Sequence, residues 1–305
     1  MKNKLILSIA LLTSLTSLGQ INMKDSTVQT IGYWDKKEKQ TYTVSTDKFK
    51  LKGTDTTSKE NKKYEVEITI LDSTAKTYTI EWFYKNFSME TTNELMKKIM
   101  SIAQDMKVVI KTDDVGAFVE VVNWQEVRDF IRKATDKTRK EFKDIPKMDA
   151  VIKQIEGTYS TKEAIESASI SDIQQFYTFH GAKYKLGETL EGKIKVPNLY
   201  GSEPFDSDFT LYLDEINTDD NNYIMRATQS VNKEQLTEAT FNYLVGLSKK
   251  MGVPPPTRDE IKELKNETLT ASRIHGSGWI VYSVQTKTIT SDNITNIEER
   301  LIELK

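Results

Sequence analysis

Apolar and polar residues alternate strictly in two early stretches of the chain. Tyr64, Val66, Ile68 and Ile70 interleave with charged and hydroxyl side chains, and Tyr78, Ile80, Trp82 and Tyr84 do the same. A period of two with one apolar face predicts strands of a sheet that is wet on its other side, hence antiparallel. Residues 41–51, rich in Thr, Val and aromatics, read as a strand before them. Residues 52–62, with Gly53, Asp55 and Asn61, read as a polar connection, and residues 71–76 as a hairpin turn. Thr91 and Glu94 then stand at capping-box spacing, and Leu95, Ile99, Ile102 and Met106 lay one apolar stripe along a helix.

Residues 108–110 and 117–122 read as a hairpin across Thr112 to Gly116. Asn123 and Glu126 cap a helix lined by Val127, Phe130, Ile131 and Ala134. Pro146 interrupts the next stretch, and a further helical pattern covers 160–179. Strand signals return at 189–196, 205–213 and 223–228. Asn232 and Gln235 cap a helix carrying Leu236, Ala239, Tyr243, Leu244 and Leu247, which Gly252 and Pro254 to Pro256 stop. A late hairpin, 268–275 and 279–288, turns at Gly276-Ser277-Gly278, and 290–305 mixes turn with helix or strand.

Each half thus runs three strands, a helix and a hairpin. The pattern predicts an α+β fold of two similar units, each a curved antiparallel sheet with covering helices, over residues 40–156 and 157–305. Residues 21–39 are expected to be a lead-in anchored by Tyr33 and Trp34. Sheets with one apolar face must cover it, and the seam so formed is where a ligand could sit.

The first twenty residues change the setting. Lys2 and Lys4 precede an apolar run from Leu5 to Leu15, followed by small and polar residues, which is the pattern of a secretory signal. The run is too short for a comfortable span, which needs about 20 apolar residues. Cleavage is expected near Gly19, Gln20 or Ile21, leaving a soluble protein of the periplasm or the exterior. Removing residues 1–20 takes away two lysines and no acid, which moves the formal charge from −2 to −4.

Composition narrows the chemistry. With 43 basic and 45 acidic residues there is no electrostatic footprint for nucleic acid. Without cysteine there is no disulfide, thiol nucleophile, thiolate metal site or lipid-anchor cysteine. The two histidines, His180 and His275, lack metal-ligand spacing to any partner. No Gly-x-Ser-x-Gly elbow and no glycine-rich nucleotide loop occurs. Asp214, Asn217, Asp219 and Asn221 offer oxygen ligands of the calcium type, but without the glycine and closing glutamate of an EF-hand. Arg128, Arg132, Lys133, Lys137, Arg139 and Lys140 interleave with acids and read as the wet face of a helix. No catalytic residue, metal ligand or cofactor is assigned.

Aromatic residues give the sharper signal. Trp82, Tyr84, Phe118, Trp124, Tyr243 and Trp279 fall on strands and helices of both halves and are the expected contacts of a partly apolar cavity. The function expected is non-catalytic binding of an apolar or lipid-like molecule. The alternatives are a structural or protein-interaction module of the cell envelope and an envelope hydrolase, the last requiring a carboxylate pair or metal site in a cleft.

Residues 107–127, from Lys107-Val-Val-Ile through Asn123-Trp-Gln-Glu-Val127, and Ser277-Gly-Trp-Ile-Val-Tyr-Ser283 resemble a group of uncharacterised exported Bacteroidetes proteins. The end of the export segment, Ser17-Leu-Gly-Gln20, is similar to signal ends in that group. The resemblance covers most of the mature chain and implies no catalytic motif. At coarser range, a curved sheet with covering helices looks like periplasmic lipoprotein-carrier folds, an analogy of fold rather than of function.

Overall fold

The computed structural model describes residues 20–305 except 92, 146–147, 199 and 201–202, so residues 1–19 of the expected export segment lie outside the described residues. Short strands β1 (Ile21–Asn22) and β2 (Thr27–Gln29) lead into three long ones, β3 (Lys39–Lys52), β4 (Asp55–Ser73) and β5 (Thr77–Met89). Helix α1 (Glu94–Met100) and a 3₁₀ turn, Ser101–Ala103, carry the chain to the hairpin of β6 (Lys107–Asp113) and β7 (Phe118–Val121). A helical layer follows, with α2 (Trp124–Glu141), α3 (Met148–Thr158), the short α4 (Lys162–Ala164) and α5 (Ser171–Tyr177). Strand β8 (Lys183–Lys185) then precedes a second meander of β9 (Thr189–Val196), β10 (Phe205–Asn217) and β11 (Asn222–Val231). The chain closes with α6 (Lys233–Met251), β12 (Leu264–His275), β13 (Ile280–Ser291) and β14 (Ile294–Leu304).

Eleven of these strands form one antiparallel sheet in the order β7-β6-β5-β4-β3-β14-β13-β12-β11-β10-β9. The other three, β1, β2 and β8, make a small separate sheet. The expectation of two similar units with their own curved sheets is therefore overturned. Strands β3 and β14 pair from Tyr42 opposite Leu304 to Lys52 opposite Ile294, joining the halves edge to edge. The resulting large sheet is neither curled nor closed. The physical reason lies in the edges: an unpaired long strand exposes a row of N–H and C=O groups, and this junction satisfies two such edges at once. One core cluster accordingly draws on both meanders, from Tyr42 and Ile68 to Met225 and Ile302.

Residues 52–62 also differ from expectation. The connection is a tight turn in which Gly53 adopts φ +60°, and β4 starts at Asp55 and runs beside β3 along its whole length. The lead-in is partly built: Trp34 is buried, whereas Tyr33 is exposed. Helix α1 is capped by Asn93, whose side chain accepts from Met96 N at 3.2 Å, and not by Thr91. Asn232 caps α6 through Gln235 N at 2.9 Å, and Gly252 ends that helix at φ +67°.

Among the described residues the helices lie over the face that carries Tyr42, Tyr64, Ile80 and Ile302, and the opposite face is wet and laced by pairs such as Lys39–Glu67 at 2.7 Å. On the helix side the apolar alternation gives way to polar residues near mid-strand. One row across the sheet reads Thr270, Gln285, Arg300, Thr46 and Lys62, each opposite the next. Among the described residues no helix is long and apolar enough to cross a membrane.

Candidate functional site

The site forms where that polar row meets α5. Almost every side chain of this short helix is buried, because it lies between the sheet and the other helices. Asp172, near its start, accepts hydrogen bonds from Tyr64 Oη at 2.9 Å and Tyr84 Oη at 3.2 Å, and from its neighbour's amide, Ile173 N, at 2.9 Å. One turn on, Gln175 donates through Nε2 to Ser283 Oγ at 3.0 Å and to the carbonyl of Arg300 at 3.3 Å. That carbonyl can only accept, which fixes the amide orientation and leaves the buried Gln175 Oε1 without a partner.

Arg300 is buried and spans the gap between α5 and the sheet. Its guanidinium donates to Ser171 O at 3.3 Å, Gln285 Oε1 at 3.4 Å and Glu298 Oε1 at 2.9 Å. Glu298 in turn pairs with Lys48 at 3.0 Å. Burial pushes the Glu298 carboxyl up, but Lys48 and Arg300 beside it outweigh burial and hold it below its ordinary value.

Lys62 differs from its neighbours. It is half-buried, its ammonium lies 5.9 Å from the centre of the Tyr64 ring, and it has no ion-pair partner among the described residues. Burial, reinforced by the charge of Arg300, lowers its pKa, and Asp172 opposes that shift only in part. Tyr64 and Tyr84 are pushed well above the ordinary phenol value by burial and then by the Asp172 charge, and burial takes Tyr159 to about 12.

Two cavities adjoin at Lys62. The first, of about 250 Å³, lies under α1, α2 and α3 and is walled by Tyr64, Tyr84, Phe87, Met100, Met106 and Ile131, with Asp172 and Arg300 at one end. The second, of about 510 Å³, continues past Lys62, Ile99, Met100 and Ile155 toward Met89, Met96 and Lys48. A third cleft of about 620 Å³ opens on the far side of Arg300, between α5, α6 and strands β11 to β14. It is more polar, with Gln229, Thr268, Gln285 and Lys287 on its floor. Asn266 Oδ1, on its wall, is buried and unpartnered, as is Thr46 Oγ1 in the second cavity.

The six aromatics expected as ligand contacts fall in different places. Tyr84 lines the first cavity. Trp82 is fully buried and packs edge-on against Phe176, with ring centroids 5.3 Å apart. Trp279 is buried against Trp34 at 5.0 Å and donates to Glu38 Oε1 at 2.6 Å. Phe118 and Trp124 are half-buried near the sheet edge at β7, the latter under the Arg128 guanidinium at 5.3 Å. Tyr243 is exposed on α6, 5.1 Å from the Tyr200 ring. The fold therefore does not gather these six around one cavity.

Lys62, Asp172, Gln175 and Arg300 went unnoticed in the sequence. A signal was available for two of them. Lys62 shares the inward phase of Tyr64 and Val66, and Arg300 shares that of Ile302, so each is a charge on the apolar face of a strand.

His180 is buried and donates through Nε2 to Gly278 O at 2.8 Å, and burial lowers its pKa to about 4. His275 contacts Ser277 at its hairpin tip. In the oxygen-rich turn, Asp214 pairs with Arg226 at 2.7 Å, while Asn217 caps Asp219 and Asp220. Among the described residues no group of three or more His, Cys, Asp or Glu side chains could hold a metal ion. No family model and no curated protein matches the chain.

Proposed function

We propose that this protein binds an apolar or lipid-like small molecule, without covalent chemistry, in the chamber beneath α1, α2 and α3. The observation that carries the proposal is a pair of adjoining, half-open cavities in the helix–sheet seam whose walls are mostly apolar. The two adjoining cavities together reach the size of small-molecule sites, about 300–1,000 Å³. Their walls combine aromatic rings with four methionines, Met89, Met96, Met100 and Met106, whose flexible thioethers adapt to varied apolar shapes. The pattern of residues 1–20, read as an export signal, fits a carrier that works in the periplasm or outside the cell.

Native mass spectrometry of the protein, purified from its own host without detergent, tests this. A reproducible extra mass that is lost on denaturation and identified as an apolar compound is the expected result. A clean polypeptide mass, together with failure to enhance the fluorescence of N-phenylnaphthylamine, would overturn the proposal and favour a structural or protein-interaction role.

A further inference from the structure

The chamber is mostly apolar along its walls but carries an ammonium without an ion-pair partner among the described residues where its two cavities meet. Lys62 lines both, and Arg300 closes the end of the first. The charged groups facing this junction are Lys62, Arg300 and Lys48 against Asp172 and Glu298, with Glu60 at the solvent-exposed end of β4. The carboxylates are occupied: Asp172 by two tyrosine hydroxyls and an amide, Glu298 by Lys48 and Arg300. Of the three cations, Lys62 is the one with neither an ion-pair partner nor a hydrogen-bond acceptor among the described residues, which leaves all three of its N–H groups to spare. A half-buried ammonium held without a partner is costly, and an anion seated beside it would remove that cost.

We infer that the ligand is a single-chain anionic amphiphile, its carboxylate-like or phosphate-like head bound by Lys62 beside Arg300 and its chain lying among Tyr64, Tyr84, Phe87 and the chamber methionines. This inference rests on the proposed function and adds the charge of the ligand to it. The head takes hydrogen bonds from Lys62 at the junction, and the chain extends into the first cavity, away from water. The Tyr64 ring, 5.9 Å from the Lys62 ammonium, keeps that cation over the chamber.

The test compares four probes at pH 8, where a carboxylic acid is ionised: dodecanoate, dodecanol, dodecyltrimethylammonium and acetate, titrated below micellar concentrations. The wild type is expected to bind dodecanoate about tenfold more tightly than dodecanol, as a charge-assisted hydrogen bond to a partly buried group provides. The cationic probe should be the weakest of the three chains. In Lys62→Met the acid should fall to the level of the alcohol, and Lys62→Arg should restore the preference. Equal wild-type affinity for acid and alcohol would overturn the inference while leaving the apolar chamber as the binding site. A preference that survives Lys62→Met would also overturn it. Acetate binding as tightly as dodecanoate would show a small-anion site and overturn the amphiphile. Binding of none of the three chains would overturn the proposed function itself. The wild-type comparison decides the matter even where a variant fails to fold.

Discussion

The hydroxyl of Tyr64, on the sheet, donates to Oδ2 of Asp172, on α5, over 2.9 Å, and both side chains are buried. With Tyr84 on the other oxygen, this pins the central helix to β4 and β5, while Gln175 pins it to β13 and β14 through Ser283 and the Arg300 carbonyl. The position of α5 therefore sets the end wall of the chamber.

Removing the carboxylate should be more harmful than removing one phenol. Asp172→Ala leaves two buried tyrosine hydroxyls without an acceptor and is expected to cost about 2–4 kcal/mol, whereas Tyr64→Phe leaves Asp172 two other donors and should cost about 1 kcal/mol. Urea unfolding of both variants and of the double variant measures this. Costs that simply add would show that the two groups are not coupled.

Acid should weaken the fold through His180. Its folded pKa is about 4, held down by burial, against an ordinary value near 6.5. Between those values the unfolded chain carries a proton that the native one lacks. Stability is thus full above about pH 6.5 and falls as pH drops toward 4, by up to roughly 3 kcal/mol from this residue. Replacing it by glutamine, whose amide can still donate to Gly278 O, should flatten the dependence of the urea midpoint over that window. An unchanged slope would assign the acid response to other groups.

The junction of β3 with β14 makes the molecule one cooperative unit. Ile302 is fully buried opposite Val44 of the other meander, so Ile302→Ala should cost about 2–5 kcal/mol. Calorimetry should show one endotherm in the wild type and one, shifted down, in the variant. Two endotherms, of which the variant moves a single one, would mean that the halves melt separately.

Filling the chamber should abolish binding and spare the fold. Ala103 lines the first cavity at the 3₁₀ turn after α1. A phenylalanine there enters empty space, so Ala103→Phe is expected to change stability by less than about 1.5 kcal/mol. Dodecanol affinity should fall at least tenfold in an isothermal titration. Undiminished affinity would place the ligand elsewhere.

Much of the strand layout was legible because the alternations at Tyr64–Ile70 and Tyr78–Tyr84 report a backbone period directly. The sheet as a whole was not. Alternation says which face of a strand is apolar but not which edge meets which, and the β3–β14 pairing joins residues from opposite ends of the chain. Turn-like composition also misled: the charged residues 55–62 are a strand because β3 offers them a partner edge, and pairing overrode propensity. Of the aromatics, Trp82 was rightly placed on a strand, whereas Trp279 lies in the turn just before β13, and only three-dimensional packing decides whether a ring fills the core or walls a cavity. Lys62 and Arg300 resembled surface charges in a chain that has many, and only their inward phase beside Tyr64 and Ile302 set them apart.

The most direct test of an apolar ligand in this chamber uses the protein's own methionines. Met100 and Met106 line the first cavity and Met89 and Met96 the second, whereas Met225 is buried in the core elsewhere and Met23 and Met251 are exposed. With ¹³C-labelled methyl groups and dodecanol as titrant, the Met100 and Met106 resonances should shift and saturate together while those of Met23, Met225 and Met251 stay in place. Shifts confined to Met23 or Met251, or no saturable shift at Met100 and Met106, would contradict the account.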